Sequence, residues 1–268
     1  MGERRSERAD ASGQTLRRGL GVLRLLARCH ADGVRLSEIG RRQSLPKATT
    51  YRHVQALAAE QFVARDCDSN TYRLGPAAFA VGHAAEPSFG IQRQMEAVLH
   101  RLAQETGDWI CLSIAQGLEA VCISTERGRL PRPPGVVCVG DRYPLGVSSA
   151  GLAMLAMLTR AEADEVLREN RAVIERLYPQ MSISLIQTLV AQTRDQGYSV
   201  VAGKLIPGYW ALGVALRDPN THAPAAITLV APEARMRNMR LTLLADRMLR
   251  ASNCVFVSDE HNVHAVVS

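Results

Sequence analysis

Serine and histidine residues in two parts of the chain have side chains that could support covalent or metal chemistry. Ser148 lies in G-V-S-S-A-G at 146–151, which resembles a nucleophile elbow, but Ala150 stands where that motif needs its second glycine. His261 and His264 could form one edge of a metal site, but no third ligand accompanies them in the polar tail. We therefore predict no catalytic residue, no metal site and no enzyme.

The cysteines and glycines do not indicate a cofactor either. The six cysteines are scattered, with no C-x-x-C pair and no spacing to histidine that suits zinc, and the chain has no G-x-G-x-x-G or P-loop motif. Free cysteines in apolar surroundings are typical of a reducing cytoplasm. No apolar run approaches the length of a membrane span. We predict a cytoplasmic protein with no cofactor and no membrane contact.

A second group of residues, within 36–74, has the types that contact nucleic acid. Lys47 and Arg52 suit phosphate or guanine, whereas Thr49 and Tyr51 can donate to phosphate or to a base edge. All four largely avoid the apolar face of the helix on which we place them. Their types and spacing therefore predict a DNA-reading surface.

Two predicted helices and a tight break would position these side chains. The first helix covers Leu36–Gln43, with Ser37 placed to cap its first turn, and Ser44-Leu45 form the break. Pro46 opens the second helix, where its missing N–H costs nothing, and this helix runs to about Gln61. Its inward face carries Thr50, Val54, Leu57 and Gln61.

The flanking segments complete a winged helix-turn-helix. A preceding helix is predicted over Thr15–His30, with Thr15 as its cap. Phe62–Arg65 and Thr71–Leu74 read as the two strands of a wing joined by turn-forming residues, and Val34-Arg35 would pair with that wing. In such a fold the second helix of the motif enters the DNA major groove.

The charge distribution favours DNA over a purely protein-binding role for this region. Residues 1–75 hold 14 of the 32 basic and 8 of the 26 acidic residues, which leaves 18 of each sign in the remaining chain. The entire net charge of +6 therefore belongs to the first 75 residues. Electrostatic attraction to phosphate supplies most non-specific DNA affinity. A protein-interaction module is the alternative reading of this winged helix.

The rest of the chain predicts a mixed domain of helices and antiparallel strands. Ile91–Thr106 has the apolar spacing of an amphipathic helix, and Trp109–Ala115 with Ala120–Thr125 reads as a hairpin. Val136–Val139 is predicted as a strand, and 140–144 as a turn. Further predicted helices are 148–157, 161–168, 183–197 and 235–251, and further predicted strands are 198–201, 210–216 and 225–230.

In this arrangement the chain resembles the IclR family of bacterial transcriptional regulators. Four segments carry the resemblance in order and spacing: L-P-K-A-T-T-Y-R at 45–52, Y-R-L-G-P at 72–76, Y-P-L-G-V-S-S-A-G at 143–151, and G-Y-S-V to P-G-Y across 197–209. The resemblance implies an α+β fold with an N-terminal winged helix-turn-helix, a linker helix, and a C-terminal GAF-like effector domain whose antiparallel sheet is flanked by helices.

The resemblance and the predicted elements together divide the chain into domains. We expect a disordered lead-in at 1–14, the winged helix-turn-helix at 15–75, a linker helix at 76–87, an effector-binding and oligomerisation domain at 88–258 and a tail at 259–268. By the same resemblance the protein is expected to act as a homodimer or homotetramer on operator DNA.

The resemblance also implies which residues contact DNA. Lys47 and Arg52 suit phosphate or guanine, and the Ala48 methyl suits a thymine methyl. His53 is expected to be partly buried. The full predicted DNA-binding set is Ser37, Lys47, Ala48, Thr49, Tyr51, Arg52, Arg65 and Arg73.

Family members bind their effectors in a pocket formed by three parts of the C-terminal domain. Ser149 and Ala150 offer backbone N–H groups at a helix N-terminus, which is a natural anion site and also fits a plain N-cap. The full predicted effector-binding set is Ser148, Ser149, Ala150, Val201, Tyr209, Ala211, Thr228 and Val230.

This chain departs from the family pattern inside that pocket. Residues 201–204 replace an acidic run, Ala211 replaces a frequent cysteine, Thr228 stands for a serine, and Val230 replaces a second polar group. We therefore expect an effector with an aromatic or bulky apolar body and a carboxylate at the Ser149 end. The candidate aromatic walls are Trp109, Tyr209 and Trp210.

Together these inferences predict a DNA-binding transcriptional regulator whose operator affinity is controlled by a small organic or aromatic acid. The alternative is a DNA-binding protein whose C-terminal domain only oligomerises. A change of operator affinity on adding the effector would distinguish the two.

Overall fold

The computed structural model describes residues 3–29, 33–85, 90–131, 135–236 and 239–253, with side chains from 13 to 252. The chain divides into two compact units, Met1–Phe89 and Gly90–Ser268. Within the described residues, none of the helices combines the length and apolarity needed to cross a membrane. The predicted tail at 259–268, with His261 and His264, lies outside the described residues.

The N-terminal unit is the winged helix-turn-helix that the sequence predicts. A helix, the helix-turn-helix pair, an antiparallel two-stranded wing and a further helix follow one another along the chain. Val34 forms the predicted bridge to the wing, because it exchanges both backbone hydrogen bonds with Tyr72, at 2.9 and 2.8 Å. The elements are α1 Glu3–Arg28, α2 Leu36–Arg42, α3 Lys47–Ala59, β1 Val63–Asp66, β2 Thr71–Leu74 and α4 Pro76–Ala85.

The core of this unit positions α3 against α2. Val22, Leu26, Ile39 and Val54 are essentially inaccessible to solvent and pack together. Gly40 allows the close approach of the two helices, because a Cβ atom there would lie 3.0 Å from Thr50 Oγ1 and 3.2 Å from the Leu45 carbonyl oxygen. The tight break between the helices is therefore set by packing as well as by its own residues.

Several predicted helix boundaries in this unit were wrong. The first helix begins at Glu3, so the lead-in expected to be disordered up to residue 14 is helical from there, and Thr15 lies inside the helix. No proline occurs between Glu3 and Thr15 to stop a helix from extending. Ser37 does not cap α2, because the N-cap position belongs to Arg35, whose side chain makes no cap hydrogen bond.

The second helix of the motif also differs slightly from its prediction. Pro46 is its N-cap residue and not its first helical residue, and the helix ends at Ala59. Gln61 therefore does not continue the buried face. It lies in the following turn with φ of 58° and an exposed side chain.

The C-terminal unit is built on one six-stranded antiparallel sheet with the strand order β5-β4-β3-β8-β7-β6. This architecture confirms the predicted α+β class and the antiparallel sheet flanked by helices. The elements are α5 Gly90–Thr106, β3 Trp109–Gln116, β4 Glu119–Glu126, β5 Arg142–Pro144, α6 Ser149–Ala156, α7 Arg160–Leu177, α8 Ile183–Gln196, β6 Ser199–Ala202, β7 Tyr209–Arg217, β8 Pro224–Pro232 and α9 Met239–Asn253.

The segment before α6 and the start of the last helix were predicted incorrectly. Val136–Val139 forms no strand, whereas Arg142–Pro144, predicted as part of a turn, pairs with β4. The Cys138 N–H is bound by the Asp141 carboxylate at 3.0 Å, which bends this segment before the pairing begins. Helix α9 starts at Met239, and a single 3-10 turn occupies Glu233–Arg235.

Helix α6 packs onto the sheet at its N-terminal end. A Cβ atom on Gly213 would lie 2.7 Å from the Ser149 carbonyl oxygen, so only glycine permits this contact. The Ser199 hydroxyl donates to the same carbonyl at 2.7 Å. The first turn of α6 is therefore held directly above the strand pair β6 and β7, where the candidate ligand site lies.

Candidate DNA-reading face and ligand cavity

The exposed face of α3 carries most of the residues predicted to read DNA. Lys47, Ala48, Tyr51 and Arg52 are all exposed, and Tyr51 keeps 51% of its accessible surface. Thr49 is half-buried at the edge of this face. The structure thus brings five predicted residues together on the helix that a winged helix-turn-helix presents to the major groove.

The opposite face of α3 fixes how this surface points. Thr50 and Val54 are fully buried, and the Thr50 hydroxyl donates to the Pro46 carbonyl oxygen at 3.0 Å. His53 is also buried, as predicted, with 8% of its surface exposed. Burial, followed by the positive charges of Arg18 and Arg52, lowers the pKa of His53 below 6.5. His53 is therefore a neutral core residue near pH 7 and does not contribute charge to the DNA face.

The N-terminus of α3 has no side-chain cap, because Pro46 occupies the N-cap position. The amides of the first helical turn lack intrahelical acceptors, and they carry the positive end of the helix dipole. Lys47 is exposed beside them. This combination suits a DNA phosphate at the start of the recognition helix.

The wing holds the two further arginines, both of them exposed. Arg65 donates to the Asn70 side-chain oxygen at 2.9 Å, and Arg73 lies 3.5 Å from the Asp66 carboxylate. The backbone N–H of Ser69 is the main cause that holds the pKa of Asp66 below its usual value. The negative charge of Asp66 weakens the attraction of Arg73 for phosphate, whereas the side-chain partner of Arg65 is neutral. The two wing arginines are therefore not equivalent.

Two further polar residues are exposed in this unit: Ser37, which was predicted from the sequence to bind DNA, and Gln55, which was not. Ser37 is exposed in the first turn of α2. Gln55 was missed, although it is exposed on α3 four residues after Tyr51. Helical periodicity alone would have placed it on the reading face.

A cavity of about 310 Å³ lies in the C-terminal unit between one face of the sheet and the segments around α6. Alternate residues of neighbouring strands form its floor, such as Cys111 and Ser113 on β3 and Tyr209 and Ala211 on β7. Alternation is what a single sheet face requires. All eight residues predicted to bind an effector line this cavity: Ser148, Ser149, Ala150, Val201, Tyr209, Ala211, Thr228 and Val230.

The aromatic walls differ from one another. Tyr209 and Trp210 line the cavity, as proposed from the sequence. Trp109, the third proposed wall, is a half-buried residue at the first position of β3 and does not line it. The rim is completed by Tyr178, which packs against Tyr143 with 6.1 Å between ring centroids.

Hydroxyl groups are concentrated where α6 begins. Ser148 caps the helix, since its Oγ accepts from the Gly151 N–H at 3.1 Å. Ser149 Oγ and Thr228 Oγ1 are buried, and neither has a hydrogen-bond partner in the described part of the chain. A buried hydroxyl without a partner costs free energy, so a ligand that supplies one gains affinity here.

Strand register places these groups together. Thr228 is the direct cross-strand partner of both Gly213 and Cys111. Directly opposed residues share a sheet face, and the Gly213 face meets the Ser149 carbonyl. Thr228 and the N-terminus of α6 therefore border the same end of the cavity. No spacing in the sequence could have shown this.

Several residues that line the cavity were not predicted from the sequence, among them Asp141. Asp141 is buried, and its carboxylate accepts from the Cys138 N–H. Cys111 and Cys122 were also missed. The hydrogen bond with Cys111 and burial together raise the pKa of the Cys122 thiol far above its usual value. This thiol therefore stays protonated and unreactive.

The described residues contain no group of three histidine, cysteine, aspartate or glutamate side chains that could hold a metal ion. Cys111, Cys122 and Asp141 all border the cavity without forming such a group.

Family models cover both units of the chain. The model described as the bacterial transcriptional regulator IclR C-terminal domain matches residues 83–255, and the model described as the IclR helix-turn-helix domain matches residues 15–66. Among individual proteins, the chain is 29% identical over 247 residues to the HTH-type transcriptional regulator BhcR of Paracoccus denitrificans, a match that covers 89% of this chain and 85% of that protein.

Solved structures share the fold. The IclR protein of Thermotoga maritima superposes with a TM-score of 0.68 at 20% identity, covering 90% of this chain and 97% of that one. An IclR homologue from Microbacterium hydrocarbonoxydans, whose structure contains 4-hydroxybenzoate, superposes with a TM-score of 0.66 at 21% identity, covering 90% and 97%.

Proposed function

The chain belongs to the IclR family of bacterial transcriptional regulators, which are DNA-binding proteins and not enzymes, and we propose that its operator affinity is controlled by a small organic acid. The acid binds in the cavity of the C-terminal unit. It favours one conformation of that unit, and the change in the populations of the two conformations alters operator binding.

Two buried hydroxyls, one on the first residue of α6 and one on β8, carry this proposal, because neither has a partner in the described residues. Ser149 Oγ and Thr228 Oγ1 are buried at one end of the cavity, beside the first amides of the helix. Hydroxyls and helix N-terminal amides are donors for a carboxylate. A carboxylate at this end satisfies groups that the protein alone leaves without hydrogen bonds.

The remainder of the cavity suits an apolar or aromatic body. Val201, Ala211 and Val230 form an apolar part of its lining, and Tyr209 and Trp210 add aromatic surface. The volume of about 310 Å³ is at the small end of the range for ligand pockets. The related structure that contains 4-hydroxybenzoate shows a protein of this fold holding an aromatic acid.

The eight predicted DNA-binding residues have different roles in this proposal. Lys47 and the α3 amides hold phosphate, and Arg52 contacts guanine or phosphate. The Ala48 methyl meets thymine. The polar or charged residues that support backbone contacts are Ser37, Thr49, Tyr51, Arg65 and Arg73.

The protein acts as a homodimer or a dimer of dimers. Leu16 and Leu20 on α1 are 65% and 42% exposed, and Phe79 and Val81 on α4 are 76% and 59% exposed. Apolar side chains exposed to this extent on two helices favour burial against a second copy. Two copies would place their recognition helices in successive major grooves of a pseudo-palindromic operator in the cytoplasm.

Selection of bound fragments from the source genome, followed by fluorescence anisotropy, tests the proposal. Operator affinity should be salt-sensitive and should change on adding an acid that stabilises the protein in a thermal-shift screen. Stabilisation by glyoxylate or pyruvate alone would exclude an aromatic body. Operator affinity that no stabilising acid changes would favour the alternative, a C-terminal unit that only oligomerises.

A further inference from the structure

Gln55 is an exposed polar residue of α3 to which the proposed function gives no role. Its side-chain amide makes no hydrogen bond within the described part of the chain. A glutamine amide carries two N–H donors and a carbonyl acceptor on separate atoms. Gln55 therefore offers both kinds of hydrogen-bonding group to a partner that contacts the surface of the recognition helix.

Gln55 continues the line of exposed residues along α3. Lys47, Ala48, Tyr51 and Arg52 occupy the first two turns of this helix, and all four are exposed. Gln55 follows Tyr51 by four residues and Arg52 by three, and residues at these spacings share one helix face. Gln55 thus faces the same partner as the four residues before it.

The neighbours of Gln55 on α3 allow a close approach to DNA. Ala56 and Ala59 are the next exposed residues of the helix, and each has only a methyl side chain. No lysine or arginine follows Arg52 in α3, so this part of the helix presents no positive side chain to phosphate. The third turn of the recognition helix therefore suits a base edge better than the DNA backbone.

The amide of Gln55 matches adenine better than the other bases. In the major groove adenine presents the N7 acceptor beside the N6 amino donor, and one glutamine amide can bind both. Guanine presents two acceptors there, and cytosine and thymine each present one polar group. Lys47 and Arg52 carry only donors, and Tyr51 has its donor and acceptor on one oxygen. Among these exposed residues, only Gln55 has the paired groups that adenine requires.

Helix geometry limits where this adenine lies in the operator. An α-helix rises about 1.5 Å per residue, so Gln55 lies about 4.5 Å along the helix axis from Arg52. Successive base pairs are about 3.4 Å apart. The base that Gln55 contacts therefore lies within about two base pairs of the DNA group that Arg52 contacts.

We infer that Gln55 determines part of the operator specificity by binding one adenine in each half-site. Its side-chain carbonyl accepts from the N6 amino group, and its side-chain N–H donates to N7. This inference rests on the proposed function, because it requires α3 to enter the major groove. Gln55 is neutral, so it contributes base discrimination without contributing to the salt dependence of binding.

Base replacement in the operator tests the inference on the full-length protein. Each base pair of one half-site in a selected operator fragment is replaced in turn, and fluorescence anisotropy measures the affinity. The wild-type protein should lose about 10-fold or more when one particular A·T pair is replaced. Gln55→Ala should bind the original operator at least about 10-fold more weakly, keep the salt slope and no longer distinguish the bases at that pair. Alanine is a strong helix former, so this variant should fold.

Modified adenines identify the atoms that Gln55 binds. At the identified position, 7-deazaadenine removes the N7 acceptor, and N6-methyladenine places a methyl group where the amino group would donate. Each should weaken binding by the wild-type protein about 5- to 10-fold and leave binding by Gln55→Ala unchanged. Gln92→Ala, at an exposed position of α5 in the C-terminal unit, is the matched control and should keep every preference of the wild type.

Three outcomes would overturn the inference: a Gln55→Ala variant that keeps every base preference, a loss of affinity that is equal for all operator sequences, or modified adenines that weaken both proteins equally. Each of these leaves the proposed function standing, because the wild-type protein still binds its operator. Absence of salt-sensitive binding by the wild type to any selected fragment would overturn both.

Discussion

The reading face of α3 and the cavity beside α6 use polar groups in opposite ways. Tyr51 on the reading face is 51% exposed, whereas Thr228 and Ser149 in the cavity are 7% and 1% exposed. Exposed groups exchange water for DNA at little cost to folding. Buried hydroxyls carry a cost in the empty protein that a ligand relieves. Single substitutions on the reading face should therefore change DNA affinity with little change in stability. Single substitutions in the cavity region should change ligand affinity and also stability.

The largest effect is expected from Gly213→Ala in the cavity region. The new Cβ would lie 2.7 Å from the Ser149 carbonyl oxygen, a backbone atom that moves only with α6. We expect a loss of about 1–3 kcal/mol in the stability of the C-terminal unit and a large loss of ligand binding. Both tryptophans belong to this unit, so their fluorescence during urea unfolding measures the stability change.

Gly82→Ala is the matched control for this change. Gly82 lies in the N-terminal unit and a Cβ there has no atom within 4 Å, so alanine should leave the tryptophan-monitored unfolding of the C-terminal unit unchanged. Equal stabilities of the two variants would contradict the tight contact between α6 and β7.

Arg52→Ala tests the reading face. Loss of one good contact should weaken operator binding by about 1–3 kcal/mol with little change in the stability of either unit. Gel-shift titration across a range of salt concentrations measures the affinity, and a salt slope reduced by about 1 would assign Arg52 to phosphate. Arg176→Ala on the exposed face of α7 is the control. Unchanged affinity would remove Arg52 from the reading face.

Thr228→Val and Ser199→Ala compare a buried cavity hydroxyl that has no partner in the described residues with a buried hydroxyl that makes a hydrogen bond. Since Thr228 Oγ1 has no partner in the described residues, valine should leave the stability unchanged or raise it by about 1 kcal/mol, while benzoate affinity falls about 10-fold. Ser199→Ala should instead lower the stability, because the Ser199 hydroxyl donates to the Ser149 carbonyl at 2.7 Å. Thermal unfolding and calorimetry measure the pair. A loss of stability in Thr228→Val would show that the hydroxyl is satisfied internally.

The smallest effect is expected from pH, through His53 under the reading face. Its pKa is lowered in the folded protein by burial, so the folded state holds the neutral ring while the unfolded ring protonates near pH 6.5. Stability is therefore complete above about pH 6.5 and falls as the pH drops below it, by at most about 1.4 kcal/mol per pH unit. Hydrogen exchange in α3 measures this.

His53→Gln should remove the pH dependence in the N-terminal unit. His222→Gln, an exposed substitution in the C-terminal unit, should leave it unchanged. A pH dependence that persists in His53→Gln would assign it to another group.

The same contrast explains which predictions succeeded. The side chains of Lys47, Tyr51 and Arg52 were placed correctly because helical periodicity and a proline at the helix start are local properties of the chain. Gln55 was missed, although the same periodicity places it one helical turn after Tyr51 on the exposed face. Ser37 was misplaced as a cap, because the helix already begins at Leu36, two residues after Val34 pairs with Tyr72 of the wing.

The cavity residues were not predicted from local sequence patterns. The eight predicted residues were taken from a family resemblance, and local patterns alone would have reached only the N-terminus of α6. Asp141 was assigned to a turn, and its burial in the wall depends on hydrogen bonds to Cys138 and Cys122. Such contacts join positions that have no periodic relation in the chain.

The amino-acid sequence by itself determined the order of the helices and of every strand except β5, the polarity of the recognition helix and the concentration of positive charge in the first 75 residues. These follow from residue type and short-range spacing. Only the tertiary structure decided which strands became neighbours and hence which side chains met. The register that sets Thr228 beside Gly213 and Cys111, under the first turn of α6, is the result of long-range pairing between strands. Local sequence patterns do not specify such pairing, because each strand could pair with several others until the whole sheet is formed.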